Sequence, residues 1–208
     1  GFRRVFSVFG TAEFRQMTMT NGGSHAVLGV NITLDSVLVN GNGTIPSALT
    51  TVAGGVVSTG PVVARNSRIE NNGGYGVHLY APSTVVQPAL EMFDSAVSGN
   101  GGGGIRIAEN KSAVILRSSI CGNTAADGGG IYNRGGVTIT DSTVCDNSAA
   151  GRGGGLANLR DATITNSTFS GNRAGMDGGG IFSDYTGIAT LAITDSTFAA
   201  NLADADGI

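Results

Sequence analysis

Apolar and polar residues alternate in short segments that recur along most of the chain. Residues 137–156 read VTITDSTVCDNSAAGRGGGL, and residues 162–181 read ATITNSTFSGNRAGMDGGGI. The alternation in VTIT and ATIT has the period of a β-strand with one buried face. Each block ends in a glycine run and an aliphatic residue, so the pair is a tandem repeat of short strands and turns.

The same block recurs before and after this pair, and its asparagines stand 28, 23, 24, 25 and 29 residues apart. A period of this length with variable inserts is typical of a solenoid, in which one repeat cannot bury its apolar face alone. We therefore expect an all-β fold, a right-handed parallel β-helix of about eight coils, since parallel crossovers are right-handed. Residues 1–208 should form one domain. The asparagines are Asn72, Asn100, Asn123, Asn147, Asn172 and Asn201.

Alignment of the blocks predicts two buried columns, because strand side chains alternate between faces. The asparagine column should lie at a tight turn, where side-chain amides can bond from coil to coil. The glycine runs precede strands rather than helices, so a phosphate-binding loop is not indicated. The first column holds Ile69, Val97, Ile120, Val144, Phe169 and Phe198, and the second holds Val77, Ile105, Ile131, Leu156 and Ile181.

The first 23 residues contain two apolar runs that predict two strands, one around Val5 and one around Met17, with no glycine run before them. The chain should thus enter the solenoid part-way round a coil. Asp35-Ser36 aligns with the repeat block, and Asn40 or Asn42 with the asparagine column. The proline-containing stretches 43–61 and 81–88 are interpreted as loops that stand off the solenoid.

Composition removes several function classes. The net charge is −3, and 12 Lys and Arg residues spread over 208 positions supply no basic patch, so we expect no nucleic-acid partner. No apolar run approaches the roughly 20 residues of a membrane span, and no signal peptide is recognisable. The chain has 35 glycines and few apolar residues at helical spacing, so helices of ordinary length are not expected.

The GGGI sequences at 128–131 and 178–181, with FSGN at 169–172 and FAAN at 198–201, carry a family resemblance. They resemble the GGA-aliphatic and FxxN repeats of the polymorphic outer-membrane proteins, over about residues 63–208. More loosely, the chain is similar to the pectate-lyase-like superfamily. The first resemblance implies an adhesive passenger on a bacterial surface, and the second implies polysaccharide chemistry. Several coils depart from FxxN and carry Val97, Ile120 and Val144 in place of Phe.

Candidate catalytic residues are few. Enzymes of the pectate-lyase-like superfamily use carboxylate clusters, whereas the outward positions beside the glycine runs carry no carboxylate. Acid–base cleavage of a glycosidic bond needs two carboxylates, so we expect no catalytic residues. The aspartates that precede serine in the repeat should serve turns instead. The outward positions are His78, Arg106, Tyr132, Ala157 and Phe182, and the turn column is Asp94, Asp141, Asn166 and Asp195.

Three further columns have structural interpretations. Cys121 and Cys145 lie one coil apart, near enough for a disulfide, and two free thiols are the alternative. Arg152 should lie between two carboxylates on neighbouring coils, those of Asp127 and Asp177.

The two histidines lie in distant coils, so no metal site is expected, and no cofactor is indicated. Thr138, Thr140, Thr163, Thr165 and Thr194 form a short threonine array of the kind found in ice-binding solenoids, although cross-strand packing explains it as well.

These observations favour an extracellular or cell-surface β-helix, bacterial or archaeal, with a structural or adhesive role and no catalysis. Its ends show no readable cap, so the chain is expected either to stack head to tail with copies of itself or to continue into flanking coils. A host-surface or glycan receptor is the expected partner otherwise. The alternative is a polysaccharide-acting enzyme or carbohydrate binder. The predicted assembly ends are Phe2, Val5, Phe6, Val8, Ala203, Gly207 and Ile208.

Overall fold

The chain winds into a parallel β-helix in which each coil contributes one strand to each of three long sheets. A computed structural model describes residues 4–23, 25–43, 54–80, 87–184 and 189–204. Every strand pair within these residues is parallel, and each strand pairs with its equivalent one coil away. The predicted all-β solenoid is confirmed.

Sheet A carries the strands that follow the glycine runs. Its eight strands stack in chain order from the first coil to the last. They are β1 (Arg4–Ser7), β4 (His25–Gly29), β7 (Gly54–Ser58), β10 (Tyr75–Leu79), β13 (Ile105–Ile107), β17 (Ile131–Asn133), β21 (Leu156–Asn158) and β25 (Ile181–Ser183).

Sheet B contains the alternating segments such as VTIT, and it also has eight strands. Its strands are the longest, because the sequence alternates over about five residues before the next turn. They are β2 (Thr11–Arg15), β5 (Asn31–Asp35), β8 (Val62–Arg65), β11 (Gln87–Phe93), β14 (Lys111–Leu116), β18 (Gly136–Thr140), β22 (Asp161–Thr165) and β26 (Thr190–Thr194).

Sheet C holds the three-residue strands that lead to the asparagine column. They are β3 (Thr18–Thr20), β6 (Leu38–Asn40), β9 (Arg68–Glu70), β12 (Ala96–Ser98), β15 (Ser119–Cys121), β19 (Thr143–Cys145), β23 (Thr168–Ser170) and β27 (Thr197–Ala199).

A fourth sheet, sheet D, follows the asparagine in the last four coils only. In earlier coils glycine follows the asparagine, as in Asn72-Gly73 and Asn100-Gly101, and glycine weakens a strand. Its strands are β16 (Thr124–Ala125), β20 (Ser148–Ala149), β24 (Arg173–Ala174) and β28 (Leu202–Ala203).

The core consists of columns of stacked apolar side chains that run continuously inside the three long sheets. Both predicted columns are confirmed by the strand register, with Val144 opposite Phe169 and Ile131 opposite Leu156. Sheet B adds two inner columns that the sequence alignment missed, one through Ile139 and one through Val137. The first predicted column continues at the N-terminal end through Val39 and Met19.

Two turn columns have left-handed backbone in every coil. One lies between sheets B and C, from Gln16 at φ 46° to Asp195 at φ 49°, and the other lies just before the asparagine. Asn, Asp and Gly dominate both because they adopt this conformation at least cost. The exceptions are Gln16, Ser36, Arg117 and Ala200, at φ 46°, 55°, 45° and 53°.

The structure corrects the alignment of the second coil by one residue. Asp35 pairs with Arg65 and Val39 with Ile69. Ser36-Val37 therefore occupies the Asp-Ser position of other coils, and Asn42, not Asn40, joins the asparagine column. The alignment was wrong because Asp35-Ser36 imitates the repeat by chance.

The two predicted loop inserts are partly wrong. Within 43–61, residues 54–58 form buried strand β7, and within 81–88, residues 87 and 88 begin β11. Residues 44–53 and 81–86 lie outside the described residues. The prolines suggested loops, but Gly54-Gly55-Val56 is a glycine run followed by an aliphatic residue like those of later coils.

The N-terminal coil is more complete than expected. Three strands, not two, occupy residues 4–20, and β1 pairs with β4 in sheet A. The inference that the first coil lacks this strand is therefore wrong.

Candidate functional site

The asparagine column forms a buried ladder, as predicted. The backbone N–H and the side-chain Nδ2 of each asparagine both donate to Oδ1 of the asparagine in the next coil, with Asn123 Nδ2 3.0 Å from Asn147 Oδ1. Nδ2 also donates to a backbone carbonyl of the preceding coil, as from Asn147 to Ile120. The ladder runs through Asn42, Asn72, Asn100, Asn123, Asn147, Asn172 and Asn201. It is fully engaged in holding coils together.

A second ladder, of serines, was missed by the sequence analysis. The backbone N–H of Ser142 donates to Ser167 Oγ in the next coil, and Ser142 Oγ donates to the carbonyl of Thr140. The signal was present, since Ser follows Asp or Asn in five of the six coils of this ladder and follows Arg117 in the sixth. The ladder runs through Ser67, Ser95, Ser118, Ser142, Ser167 and Ser196.

Cys121 and Cys145 form a disulfide between adjacent strands of sheet C, with Cα atoms 4.5 Å apart. The question left open by the sequence is thereby answered in favour of the bond. It joins two coils on the outer face and takes no part in a reactive cluster.

In the part of the chain that the structure describes, three members of the predicted turn column, Asp94, Asp141 and Asn166, make side-chain pairs along the solenoid axis instead of the expected bonds to turn backbone. Arg117 donates two hydrogen bonds to the Asp94 carboxylate, at 2.8 and 2.9 Å. These hydrogen bonds lower the pKa of Asp94 below its ordinary value and raise that of Arg117. In the next coils, Asn166 Nδ2 donates to Asp141 Oδ1. Both pairs are exposed, and they hold the turn rather than form an acid–base site.

The five outward positions of sheet A form one registered column, and none carries a carboxylate. Two of these outward-facing side chains are nevertheless buried. His78 is 5 % exposed, because Tyr75 and Tyr80 pack against it edge-on. Ala157 is 1 % exposed and forms the floor of a groove.

Arginines stack on aromatic rings along this column. The guanidinium of Arg106 lies between the rings of Tyr75 and Tyr132, 5.6 and 4.8 Å from their centroids, and donates to the Tyr75 hydroxyl. Farther along, Arg152 stacks over Phe182 at 4.9 Å. Such contacts fix the arginines and leave their edges free to bond. We call Tyr75, Arg106, Tyr132, Arg152 and Phe182 the aromatic–arginine stripe.

The predicted placement of Arg152 between two carboxylates is found in modified form. Arg152 Nε lies 3.4 Å from Asp177 Oδ2, an ion-pair distance without hydrogen-bond geometry. Asp127 instead accepts a hydrogen bond from the backbone N–H of Arg152, at 2.8 Å. Because these side chains are roughly half exposed, the ion pair contributes at most about 1 kcal/mol.

A groove of about 260 Å³ opens on the stripe above Ala157. Tyr132 and Phe182, one coil to either side of Ala157, form its two ends, and Leu159 and Met176 add apolar walls. Asp127 and Arg152 form its polar rim. The groove combines flat apolar surfaces with one exposed carboxylate, which is the composition of a ligand site.

Other predicted chemistry has a simpler outcome. The threonine array is registered as expected, Thr140 opposite Thr165 and Thr165 opposite Thr194 on the outer face of sheet B. In the described ranges, no three His, Cys, Asp or Glu side chains are grouped to hold a metal ion. Nor do those residues include a helix with the length and hydropathy of a membrane crossing.

Of the predicted assembly ends, Val5, Phe6 and Val8 pack against the core of the first coil. Ala203 is exposed in sheet D, whereas Phe2, Gly207 and Ile208 lie outside the described residues. In the last coil, inner-column side chains remain open, with Ile193 44 % and Phe198 42 % exposed.

Comparison with known proteins agrees with this geometry. No curated protein matches the sequence. The profile described as "Right handed beta helix region" matches residues 54–205, well over half of the chain. This match does not extend to the pectate-lyase-like superfamily or to the polymorphic outer-membrane proteins, whose resemblance stays a prediction. The chain belongs to the right-handed β-helix family.

Proposed function

We propose that this protein is a non-catalytic, extracellular or cell-surface β-helix that adheres to a receptor through the outer face of sheet A. The aromatic–arginine stripe carries the proposal. Elsewhere on the long sheets the outward residues are mostly small or polar, whereas here Tyr, Arg and Phe line up over successive coils. Tyr, Phe and Arg are the residues enriched in recognition surfaces.

The disulfide supports the extracellular part of the proposal. Disulfides persist in oxidising compartments and are rare in a reducing cytoplasm. Cys121 and Cys145 are bonded on the outer face of sheet C, where a cytoplasmic reductant would reach them. The bond therefore fits secretion.

The stripe also supports a non-catalytic role, because the registered outward column of sheet A offers no carboxylate pair. Incubation with uronate and neutral polysaccharides should release no oligosaccharides. Release that depends on Asp127 or Asp177 would contradict this part of the proposal and support the enzyme alternative.

Adhesion is tested with the purified chain on surfaces coated with matrix proteins and with polysaccharides. The Tyr132→Ser, Phe182→Ser double variant should lose at least about tenfold in retention, because stacking surface is removed from both ends of the groove. The control is Phe93→Ser, which removes the Arg65–Phe93 stack on sheet B. Equal retention of wild type and double variant would overturn the proposal.

A second candidate function is assembly through the open last coil, and a specific observation favours it. Leu191, Ile193 and Phe198 are 38–44 % exposed although they continue buried columns. A groove of about 390 Å³ opens between Ile193, Phe198 and Asn201. We propose that a further β-helix coil covers this end, from a copy of the chain or from flanking sequence.

Negative-stain electron microscopy of the purified chain tests assembly. Fibres or end-to-end oligomers are expected, and the Ile193→Asp, Phe198→Asp double variant should abolish them because it places charge on the apolar end. Only monomeric particles at high concentration would argue against self-stacking.

A further inference from the structure

We infer that the groove above Ala157 binds an arginine side chain of a partner protein. This inference rests on the proposed adhesive role of sheet A and names the receptor chemistry. Its basis is a comparison within the molecule, between the site that Arg106 fills and the adjoining site that stays open.

The filled site shows what this face selects. Arg106 lies between an aromatic ring of the preceding coil and one of the following coil, Tyr75 and Tyr132. Its guanidinium is planar, so it stacks on both rings while its edge donates to a hydroxyl. Of the four arginine–aromatic stacks in the described residues, three join an arginine to an aromatic residue of the next coil, and the fourth joins Arg106 to Tyr75 of the preceding coil.

The open site repeats the arrangement two coils later. Tyr132 and Phe182 again lie one coil on either side of the central position, but that position is Ala157. Stacked strands are about 4.8 Å apart, so the two rings arise from strands separated by about 10 Å. Arg152, which comes from the preceding turn, covers Phe182. One ring face, that of Tyr132 toward the groove, remains for a ligand.

Charge decides which planar ligand fits. Asp127 and Asp177 supply two negative charges beside the single positive charge of Arg152, so the local net charge is negative. The Asp127 carboxylate is exposed at the rim and uses one oxygen for the Arg152 N–H. A guanidinium can stack on Tyr132 and bond the remaining oxygen. Leu159 and Met176 would cover its methylene stem.

The experiment uses arginine ethyl ester as the probe and amide chemical shifts of the intact, disulfide-bonded chain as the readout. The Ala157 and Phe182 amides should shift saturably with the ester. Citrulline ethyl ester, which has nearly the same shape with an uncharged ureido group in place of the guanidinium, should bind at least about tenfold more weakly. Arginine ethyl ester should bind the Asp127→Asn variant more weakly by a similar factor.

Two variants make the test specific. Ala157→Arg should place the chain's own guanidinium in the groove and abolish probe binding, while circular dichroism shows that the fold is kept. Phe93→Leu, which alters the stack on sheet B, should leave probe binding unchanged. Binding by Ala157→Arg equal to wild type would overturn the inference.

The outcomes separate this inference from the proposed function. If methyl glycosides shift these amides and the arginine ester does not, the ligand is a glycan and the inference is wrong, although adhesion stands. If the ester binds the groove but Tyr132→Ser, Phe182→Ser adheres like wild type, the adhesive role of this face is wrong and the site assignment survives.

Discussion

Each interior asparagine of the ladder satisfies four hydrogen-bonding positions. Asn147 Oδ1 accepts from the backbone and the side chain of Asn123, and its Nδ2 donates to Ile120 and Asn172. This is the full capacity of a side-chain amide. No smaller or isosteric residue reproduces it, because Asp lacks the donors and Ser lacks the reach.

Replacement of Asn147 should therefore be strongly destabilising. Asn147→Ala leaves the buried N–H of Asn123 and the carbonyl of Ile120 without these partners, at about 1–3 kcal/mol each. We expect the free energy of unfolding to fall by about 3–5 kcal/mol, measured by denaturant titration. Ser170→Ala, on the outer face of sheet C, is the control and should change it by about 0.5 kcal/mol or less.

Ala200 carries the opposite prediction. It holds φ 53° in a turn column where other coils have Gly, Asn or Asp, and an alanine in this conformation costs about 1–2 kcal/mol. Ala200→Gly should raise the melting temperature, with a net gain of about 0.5–1 kcal/mol after the flexibility of glycine is counted. Ala199→Gly, in a strand, should lower it. A lower melting temperature for Ala200→Gly would contradict the argument.

The Asp94–Arg117 pair gives a pH prediction. Hydrogen bonds from Arg117 depress the folded-state pKa of Asp94. The stabilisation is thus present above the ordinary aspartate pKa and is lost as pH falls through the depressed value. Carboxyl chemical-shift titration should show this low pKa, and Arg117→Gln should return it toward the ordinary value. Arg65→Gln is the control and should leave the pKa of Asp94 unchanged. A changed pKa in this variant would contradict the attribution to Arg117.

At the scale of the element, the disulfide links strands β15 and β19 of sheet C. It closes a loop between residues 24 apart in sequence, for which the chain-entropy account gives about 3 kcal/mol. The Cys121→Ser, Cys145→Ser variant should melt at a lower temperature than wild type under oxidising conditions. Added reductant should lower the wild-type value to that of the variant and leave the variant unchanged.

The elements also show what the sequence could predict. Strict alternation and the recurring asparagine predicted the columns through Ile131 and Val144, because a slip of one residue would turn every apolar side chain to water. The second coil was misaligned because Asp35-Ser36 resembles the Asp-Ser of the repeat. Its register is fixed by the pairing of Val39 with Ile69. Strand β7 was missed because its flanking prolines outweighed its glycines.

The candidate site was predicted only in part. The outward column was identified residue by residue, but alignment cannot show that Arg106 reaches across to Tyr75, which lies outside that column. The small residue Ala157 between Tyr132 and Phe182 was the available signal for the groove. Its depth depends on Leu159 and Met176, which belong to turns that the repeat does not define.

For the whole molecule, the first coil lacks both ladder side chains. Gly22 occupies the asparagine position and donates to Asn42, and Met17 precedes β3 at the position that serine takes from the third coil onward. A head-to-tail contact between copies would thus leave the Asn201 and Ser196 N–H groups without ladder acceptors. This mismatch weakens self-stacking relative to stacking with a coil of the repeat type.

Gly22→Asn should strengthen self-stacking, because it supplies the missing acceptor. We expect longer fibres or a higher oligomer fraction by sedimentation velocity. Gly10→Asn, at an exposed position with open space around it, is the control. An unchanged oligomer fraction for Gly22→Asn would show that the ladder does not govern the contact between ends.

The polarity of the two ladders makes the solenoid a one-way structure. In every rung the backbone amide hydrogen points toward the following coil and the side-chain oxygen toward the preceding one. Peeling coils from the C-terminal side strands a backbone N–H and one Nδ2 hydrogen of each asparagine laid bare, whereas peeling from the N-terminal side bares oxygen lone pairs and strands one Nδ2 hydrogen. Buried orphan N–H groups are the less tolerated, so the C-terminal side loses more per coil. When the solenoid is pulled from each end in turn, the force that detaches one coil should therefore differ between the two ends. Each coil detached from the C-terminal side should leave the next coil less stable.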